Sequence, residues 1–498
     1  MVAALGAVLP SGGGALRLTC RRRLHCGALI CACGRGKGPG AQRRAAVGQR
    51  VQTFTCPAWT LLCLPLYALT KSPYAALMVS GLLCSGALCW LIHREFRARP
   101  FMGACVFLTL TASPSFLAFS TSGLENSLAH LLVVAFAISW LKQHGRLTVD
   151  AGLMGGLFLL TRLDYALVLL PPALFSLLKG RGSALVRALP GLLLVAAWEL
   201  FALVYYGSLL PNTAYAKLNT TVPWGMKFAH GLAYAVDAAF RDPAMMLVLG
   251  LSWLIFLRRG MNLRHRTLLF GAILYFGYVF LIGGDFMAGR FYTVPLVLTS
   301  IVLFRRPRFN SLSAGLLSVF LAYAAFFSWQ SRITDVTHTE CYIGPAGIAD
   351  ERPCYMEHTG LAQNINSSKW KTHSYLDAFV QVVKRHAKDG VVVFHLVGIA
   401  GFADTPEVHV VEPWSLTEPL LARIRFRADA HTRPGHFTRA VPAGYVESLR
   451  SGRNQIENRC ISALYERVRL ATTGPLFTKN RWAAIWQLHT TGGSCPAP

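Results

Sequence analysis

The sequence predicts a mainly α-helical membrane protein: a polytopic helix bundle followed by a C-terminal soluble α/β domain on the outer face. Three observations predict it. Of 498 residues, 53% are hydrophobic and 14% charged, with a mean hydropathy of +0.41, whereas a soluble domain carries about a quarter charged residues. Apolar runs recur through the first 330 positions, separated by short basic loops. After about residue 330 the long apolar runs stop and charged residues become common.

Residues 1–47 differ from everything after them. They hold no aromatic residue and no acid, and they are rich in Gly, Ala, Arg and Cys; the first acid of the chain is Glu95. The apolar stretch 2–9 precedes the basic cluster Arg21–Arg23, the reverse of a signal peptide. Cys31 and Cys33 lack a second ligand pair at finger spacing. The segment reads as GC-rich DNA translated in a wrong frame or from a wrong start, with sensible sequence resuming near Gly48. A disordered basic tail is the alternative.

The bundle is expected over 48–330. Residues 57–70 are too short to span, since about 20 residues are needed, and read as a helix lying at the surface or dipping in, ended at Lys71-Ser72-Pro73. Ten spans follow, at 74–92, 101–119, 126–141, 150–161, 165–178, 185–206, 243–258, 267–283, 291–304 and 311–329. The pair 150–161 and 165–178 reads as half-spans meeting at Arg162-Leu163-Asp164. Five basic clusters fall in alternate loops: Arg94, Arg97 and Arg99; Lys142 and Arg146; Lys179, Arg181 and Arg187; Arg258, Arg259, Arg264 and Arg266; Arg305, Arg306 and Arg308. That alternation assigns their side to the cytoplasm and explains the net charge of +26 without nucleic acid. No nucleic-acid motif and no internal repeat is present.

The C-terminal part, 331–498, is expected to be extracytoplasmic. Val391–Phe394 and Val408–Val411 read as buried strands and Tyr375–Arg385 as an amphipathic helix. An even number of cysteines (Cys341, Cys354, Cys460, Cys495) permits disulfides in an oxidising compartment. Cys341–Cys354 and Cys460–Cys495 are compatible pairs, and the sequence leaves the pairing open. Cys63, Cys84, Cys89 and Cys105 read as small buried hydrophobes.

Four polar groups fall on the side opposite the basic loops. Gly283-Gly284-Asp285-Phe286-Met287-Ala288-Gly289-Arg290-Phe291 places an acid and a base five residues apart between two apolar runs, where charge is costly and marks a site. Arg290 suits phosphate, and Asp285 a proton or a sugar hydroxyl; a tight loop with a structural Asp–Arg pair is the plainer alternative. Glu125, in Ser122-Gly123-Leu124-Glu125-Asn126, either joins that site or favours a helix dipole. Arg162 and Asp164 either join it or close a helix break on each other. Tyr206-Gly207-Ser208-Leu209-Leu210-Pro211-Asn212-Thr213 with Lys217 suits an anionic head group beside a sugar, or anchors the chain at the membrane interface. Three cations and three acids on one face point to a polar site. Glu199, inside a span, is separate and has no assigned role.

These motifs, in this order, resemble the membrane-embedded glycosyltransferases of the GT-C type, and among them the terminal arabinofuranosyltransferases of mycobacterial and corynebacterial cell-wall synthesis. The resemblance continues through Val397-Gly398, Val408–Leu421 and Arg433-Pro434-Gly435-His436-Phe437 with Val441-Pro442 and Gly444-Tyr445. It runs from about residue 48 to about 450. It implies a polyprenyl-phosphate sugar donor, a cell-envelope polysaccharide acceptor, an inverting transfer on the outer face of the bacterial cytoplasmic membrane, and no resident cofactor or metal. It makes Asp285 and Glu125 candidate catalytic acids, with Arg290, Lys217, Arg162, Asp164, Asn212 and Tyr206 binding substrate. Such enzymes typically carry their base in a first outer loop, which this chain lacks because no acid precedes Glu95. The resemblance therefore also allows an inactive binding relative, and the composition allows a transporter or flippase of lipid-linked sugars, although transporters usually show repeated halves. Glu412 and Glu418 stand where the family leads one to expect Asp.

Overall fold

The computed structural model describes residues 48–180, 182–258, 261–306, 315–323, 326, 342–344, 346–352, 360, 381–387, 390–395, 408–428, 437–490 and 493–497. They are mostly helical. Through the first 306 positions the helices are α1 (Pro57–Thr70), α2 (Pro73–Phe96), α3 (Pro100–Thr111), α4 (Pro114–Ser120), α5 (Asn126–Lys142), α6 (Val149–Leu159), α7 (Ala166–Gly180), α8 (Gly182–Tyr206), α9 (Asn212–Leu218), α10 (Trp224–Arg241), α11 (Pro243–Leu257), α12 (Leu263–Leu281) and α13 (Thr293–Arg305).

A recurring local signal starts these helices: a polar cap, often followed by proline. Ser72 before Pro73, Ser113 before Pro114 and Asp242 before Pro243 each accept a hydrogen bond from a backbone amide three residues on. Proline suits the first helical position because its missing donor is not needed there. The same signal divides runs that hydropathy alone reads as continuous. The expected span 101–119 is α3 and α4, bent by 83° at Ser113. The expected loop 207–242 contains α9 and α10, and α10 meets α11 at 115° across Asp242. Pro73–Phe96, Leu163–Gly180 and Gly182–Tyr206 are long and apolar enough to cross a membrane, and the number rises to five if each bent pair is one span. The expected break at Arg162–Asp164 is a 3₁₀ turn at Leu163–Tyr165.

The bundle packs around α13. Every residue from Thr293 to Phe304 is buried, so this run shows no polar face, as a helix surrounded by others should not. On the periphery α6 and α8 pack backbone to backbone: a Cβ on Gly191 would fall 2.0 Å from the Gly152 carbonyl oxygen. The outward face of α8 instead exposes a column of leucines, among them Leu185, Leu193 and Leu200 at 56–63%. A run of exposed leucines of that length is a lipid-facing surface.

All five basic clusters meet at one end of the bundle. Glu95 of the first binds Lys142 of the second and Arg305 of the fifth, each at 2.8 Å. Lys179 donates to the His144 carbonyl at 2.8 Å, Arg187 to that of Leu147 at 3.2 Å, and Arg264 contacts His144 at 2.6 Å. The four polar groups lie at the other end.

Beyond residue 341 a second, smaller core forms around Leu420, Leu421, Tyr445, Ile461, Leu464 and Ile485. The hairpin of β1 (Tyr342–Ile343) antiparallel to β2 (Ala349–Asp350) packs on the bundle, where Ile348 joins the larger core, whereas the second core takes β3 (Val391–Val393) parallel to β4 (His409–Val411), and α14 (Tyr445–Ser451), α15 (Arg459–Thr473) and α16 (Lys479–His489). The expected strands are present, with Val392 opposite Val410. Cys460 and Cys495 form a disulfide. The expected Cys341–Cys354 pair, Val397-Gly398, Arg433–His436, residues 1–47 and most of the helix expected over 375–385 lie outside the described residues, as do parts of the span expected at 311–329, which is helical over 315–323.

Candidate functional site at the polar end of the bundle

Glu125 is the last residue before α5 and is 2% exposed. The turn that delivers it is held by Trp59 of α1, whose indole donates to the Gly123 carbonyl at 3.2 Å. Its carboxylate accepts from Arg290 at 2.7 Å and lies 3.6 Å from Arg162. Arg162 grips Asp164 with two parallel bonds, at 3.0 and 2.7 Å, the fork geometry that guanidinium favours. Its other face lies over the Phe291 ring, 4.3 Å from the centroid. Both sequence readings of Arg162 therefore hold: it closes the helix break on Asp164, and it joins the larger cluster.

The Gly283–Phe291 loop is fixed from two sides. From α10, Tyr234 donates to the Met287 carbonyl at 3.0 Å, and His230 bridges the carbonyls of Gly283 and Ala346. Gly284 sits at φ +70°, and a Cβ there would fall 2.5 Å from the Tyr234 ring, so no other residue fits that turn without displacement. From the other side Ala349 pairs with the loop: its amide donates to Phe286 at 2.6 Å and its carbonyl accepts from Ala288 at 3.1 Å. Behind Arg290, Asn126 and His130 of α5 both bond the Thr293 hydroxyl, at 3.2 and 2.9 Å.

Charge follows this geometry. Burial alone pushes the Glu125 carboxyl up, but Arg290 and then Arg162 outweigh it and hold it below its ordinary value. Burial pulls the Arg290 guanidinium down, and Glu125 with Asp285 more than reverses that. Asp285 is 2% exposed. Its Oδ2 stands 3.9 Å from Arg290 and has no hydrogen-bond partner among the described residues. Lys217 of α9 is exposed to solvent, yet surrounding protein lowers its ammonium pKa, while Asp285 pulls it back up and Arg162 and Arg290 push it further down. Among the described residues Lys217 has no carboxylate within ion-pair distance.

Glu125, Arg162, Asp164, Asp285 and Arg290 thus come together, with Lys217 facing them. Tyr206 and Asn212 do not join them. Tyr206 packs against Phe201 and Tyr205. Asn212 donates to the carbonyls of Ser415 and Leu416 at 2.9 and 3.1 Å. Both line a small cavity with Arg50, Gln52 and Arg423. Several residues at the cluster were not singled out by the sequence. His230, Tyr234 and Asp237 share one face of α10, and their 4-3 spacing was the available signal. Glu351, one residue past β2, feels Asp285 and Arg290, and burial raises its pKa; nothing in Ala349-Asp350-Glu351-Arg352 marks it.

Glu412 and Glu418 are interior. Glu418 joins His409 at 2.7 Å to Tyr445 at 2.6 Å. Glu412 accepts two bonds from Thr417, both 3.0 Å. Among the described residues no group of three or more His, Cys, Asp or Glu is arranged to hold a metal ion.

Comparison with known proteins agrees with the motifs. A terminal β-(1→2)-arabinofuranosyltransferase of Corynebacterium glutamicum is 31% identical over 189 residues, covering 34% of this chain and 24% of the relative. One of Mycobacterium tuberculosis is 26% identical over 381 residues, covering 65% of this chain and 60% of the relative. The chain thus matches less than two thirds of the length of either relative. No family description and no solved structure matches it. Across the stretches that align, the chain resembles the terminal β-(1→2)-arabinofuranosyltransferases.

Proposed function

We propose that this chain transfers a pentofuranosyl residue, arabinofuranose by likeness to the two relatives, from a polyprenyl-phosphate donor to a cell-envelope glycan. The observation that carries the reading is the buried cluster of Glu125, Arg162, Asp164, Asp285 and Arg290 beside the exposed Lys217. A lipid phosphate leaving group needs cations at a membrane boundary, and an attacking hydroxyl needs a carboxylate. The basic end of the bundle faces the cytoplasm by the charge rule. The cluster and the C-terminal part from 331 onward then lie on the outer face of the bacterial cytoplasmic membrane, with about ten spans between.

In this reading Lys217 meets the donor phosphate, and Arg290 turns from Glu125 towards it as negative charge builds on the leaving oxygen. The acceptor hydroxyl attacks the anomeric carbon from the opposite side and inverts it. The bond from that carbon to the phosphate oxygen breaks, and the hydroxyl proton passes to Asp285, whose Oδ2 is unbonded. Glu125 holds Arg290 before the donor binds and stays beside Arg162, 3.6 Å away, afterwards.

One observation favours a second reading, a relative that binds lipid-linked sugar without transferring it. Asp285 stands 3.9 Å from Arg290, so its carboxylate can serve as a structural partner of that arginine instead of as a base. Incubating the purified chain with polyprenyl-phosphate carrying labelled arabinose and an arabinan acceptor separates the two. Label in the acceptor, lost in Asp285→Asn, supports transfer by the residues named. Donor binding with no transfer from any pentose or hexose donor sinks the first reading and leaves the second.

A further inference from the structure

The other end of the bundle holds a second cationic place, unrelated to the cluster above. Where α6, α7 and α8 meet, a recess of about 280 Å³ is lined by Arg146, Ser176, Lys179, Ser183 and Arg187. We propose that it binds the phosphate head group of an anionic membrane lipid.

Three features point there. First, the cations are aimed. Lys179 is fixed by its bond to the His144 carbonyl and Arg187 by its bond to that of Leu147. The floor is rigid as well, since Ser176 is buried, accepts from the Trp140 indole at 2.8 Å and donates to backbone carbonyls. Second, the cations are uncompensated. No carboxylate among the described residues lies within 4.0 Å of Arg146, Lys179 or Arg187, whereas on the same end Glu95 neutralises Lys142 and Arg305. Basic loops are ordinary at this end of a membrane protein, but three cations turned into one concavity without an acid are not explained by orientation alone. Third, the rim is apolar. Leu174, Leu178, Leu185 and Val186 stand 50–86% exposed on the lipid side of α7 and α8. A free anion would meet only the cations, whereas a phospholipid would also lay its acyl chains along these leucines. Basic pockets between membrane helices bind anionic head groups in this way. The recess is separated from the cluster by the length of α8, 25 residues, or about 37 Å, so this inference stands whatever the cluster does.

The test uses the full chain, stripped of lipid in detergent. Binding of labelled phosphatidylglycerol is compared with that of phosphatidylcholine, with glycerol phosphate as competitor. At roughly fivefold per cation, three cations predict a preference for phosphatidylglycerol on the order of 100-fold. The Arg146→Gln, Lys179→Gln, Arg187→Gln triple variant should lose it, and an Arg94→Gln, Arg97→Gln, Arg258→Gln triple variant, which removes equal charge elsewhere, should keep it. Ser183→Glu sets a single acid on the exposed rim and should weaken binding at least tenfold, which keeps the test decisive if the triple variant fails to fold. Equal binding of both lipids, equal losses in both triple variants, or full binding by Ser183→Glu overturns the proposal. Displacement by glycerol phosphate at concentrations matching the lipid overturns it too, because it shows a free-anion site.

Discussion

Two buried polar clusters use the same residue types and end differently. In the C-terminal core Arg439, Arg481 and Glu418 are closed off by their partners. Arg439 donates to the carbonyls of Ile424, Phe437, Ala216 and Asn219, Arg481 to those of Ala471, Leu476 and Tyr205, and Glu418 sits between His409 and Tyr445. At the polar end of the bundle Glu125 and Asp164 are held by arginines, but among the described residues an Asp285 oxygen is unbonded and Lys217 has no ion-pair partner. Burial of charge is common to both, so it cannot distinguish them. Closed networks hold segments together, and the open one has valences left for something else.

The largest expected effect tests the open cluster. Arg290→Ala should lower glycosyl transfer by a factor of about 100–1,000, the range for losing a donor to developing charge, with an unchanged elution profile. The fold should survive because Arg162 still lies 3.6 Å from Glu125. Normal turnover in this variant would remove Arg290 from the donor site and erase the contrast. Arg439→Met should do the reverse. It takes a donor from four carbonyls, of which that of Asn219 keeps the Phe426 amide, and thermal unfolding should show a loss of about 1–3 kcal/mol with transfer per folded molecule retained. A fully stable but inactive Arg439→Met protein would show that the closed network is catalytic after all.

The smallest effect is a pH dependence within the closed core. Burial raises the Glu412 carboxyl from the ordinary 4.5 to about 7, against the two Thr417 bonds that favour its charged form. The unfolded chain therefore releases this proton first, and Glu412 costs stability as pH rises from about 4.5 to about 7. Glu412→Gln removes that slope. Its stability relative to the parent should climb across this window with a slope approaching about 1.4 kcal/mol per pH unit and stay flat below it. Parallel melting curves for the two proteins from pH 5 to pH 8 would count against a raised Glu412.

Much of this was legible in the sequence, for identifiable reasons. Asp285 and Arg290 stood out because charge between apolar runs is costly, and the loop they share is the hub of the cluster. The described residues of the basic clusters gather at one end of the bundle, and Glu95 ties three of the helix ends they flank. Other parts resisted. The Trp224–Arg241 helix reads as loop because polar His230, Asp237 and Arg241 dilute its apolarity. The bend at Ser113 is hidden because a cap and a proline barely alter the hydropathy of a run such as 101–119. Tyr206 and Asn212 read as site residues because Gly207, Ser208 and Pro211 break a helix equally well beside a substrate or beside another segment of chain. Asn212 is clamped on Ser415 and Leu416, and it lines a small cavity with Tyr206 away from the charged cluster. The Arg162–Glu125 contact joins positions far apart in sequence, which no local pattern encodes.

The closed clamps also set an order of events during synthesis. Arg481 bonds the Tyr205 carbonyl across 276 residues, Arg439 bonds Ala216 across 223, and Asn212 bonds Ser415 across 203. The stretch from Tyr205 to Asn219, which carries Lys217, therefore leaves the ribosome well before its partners exist. At about 5–20 residues per second, it waits on the order of tens of seconds. During that interval the helices of the bundle can insert and pack, but the wall bearing Lys217 has nothing to lean on. A ribosome stalled ahead of Ser415, or a chain cut there, would leave a membrane-inserted bundle in which the Lys217 stretch lacks all three clamps.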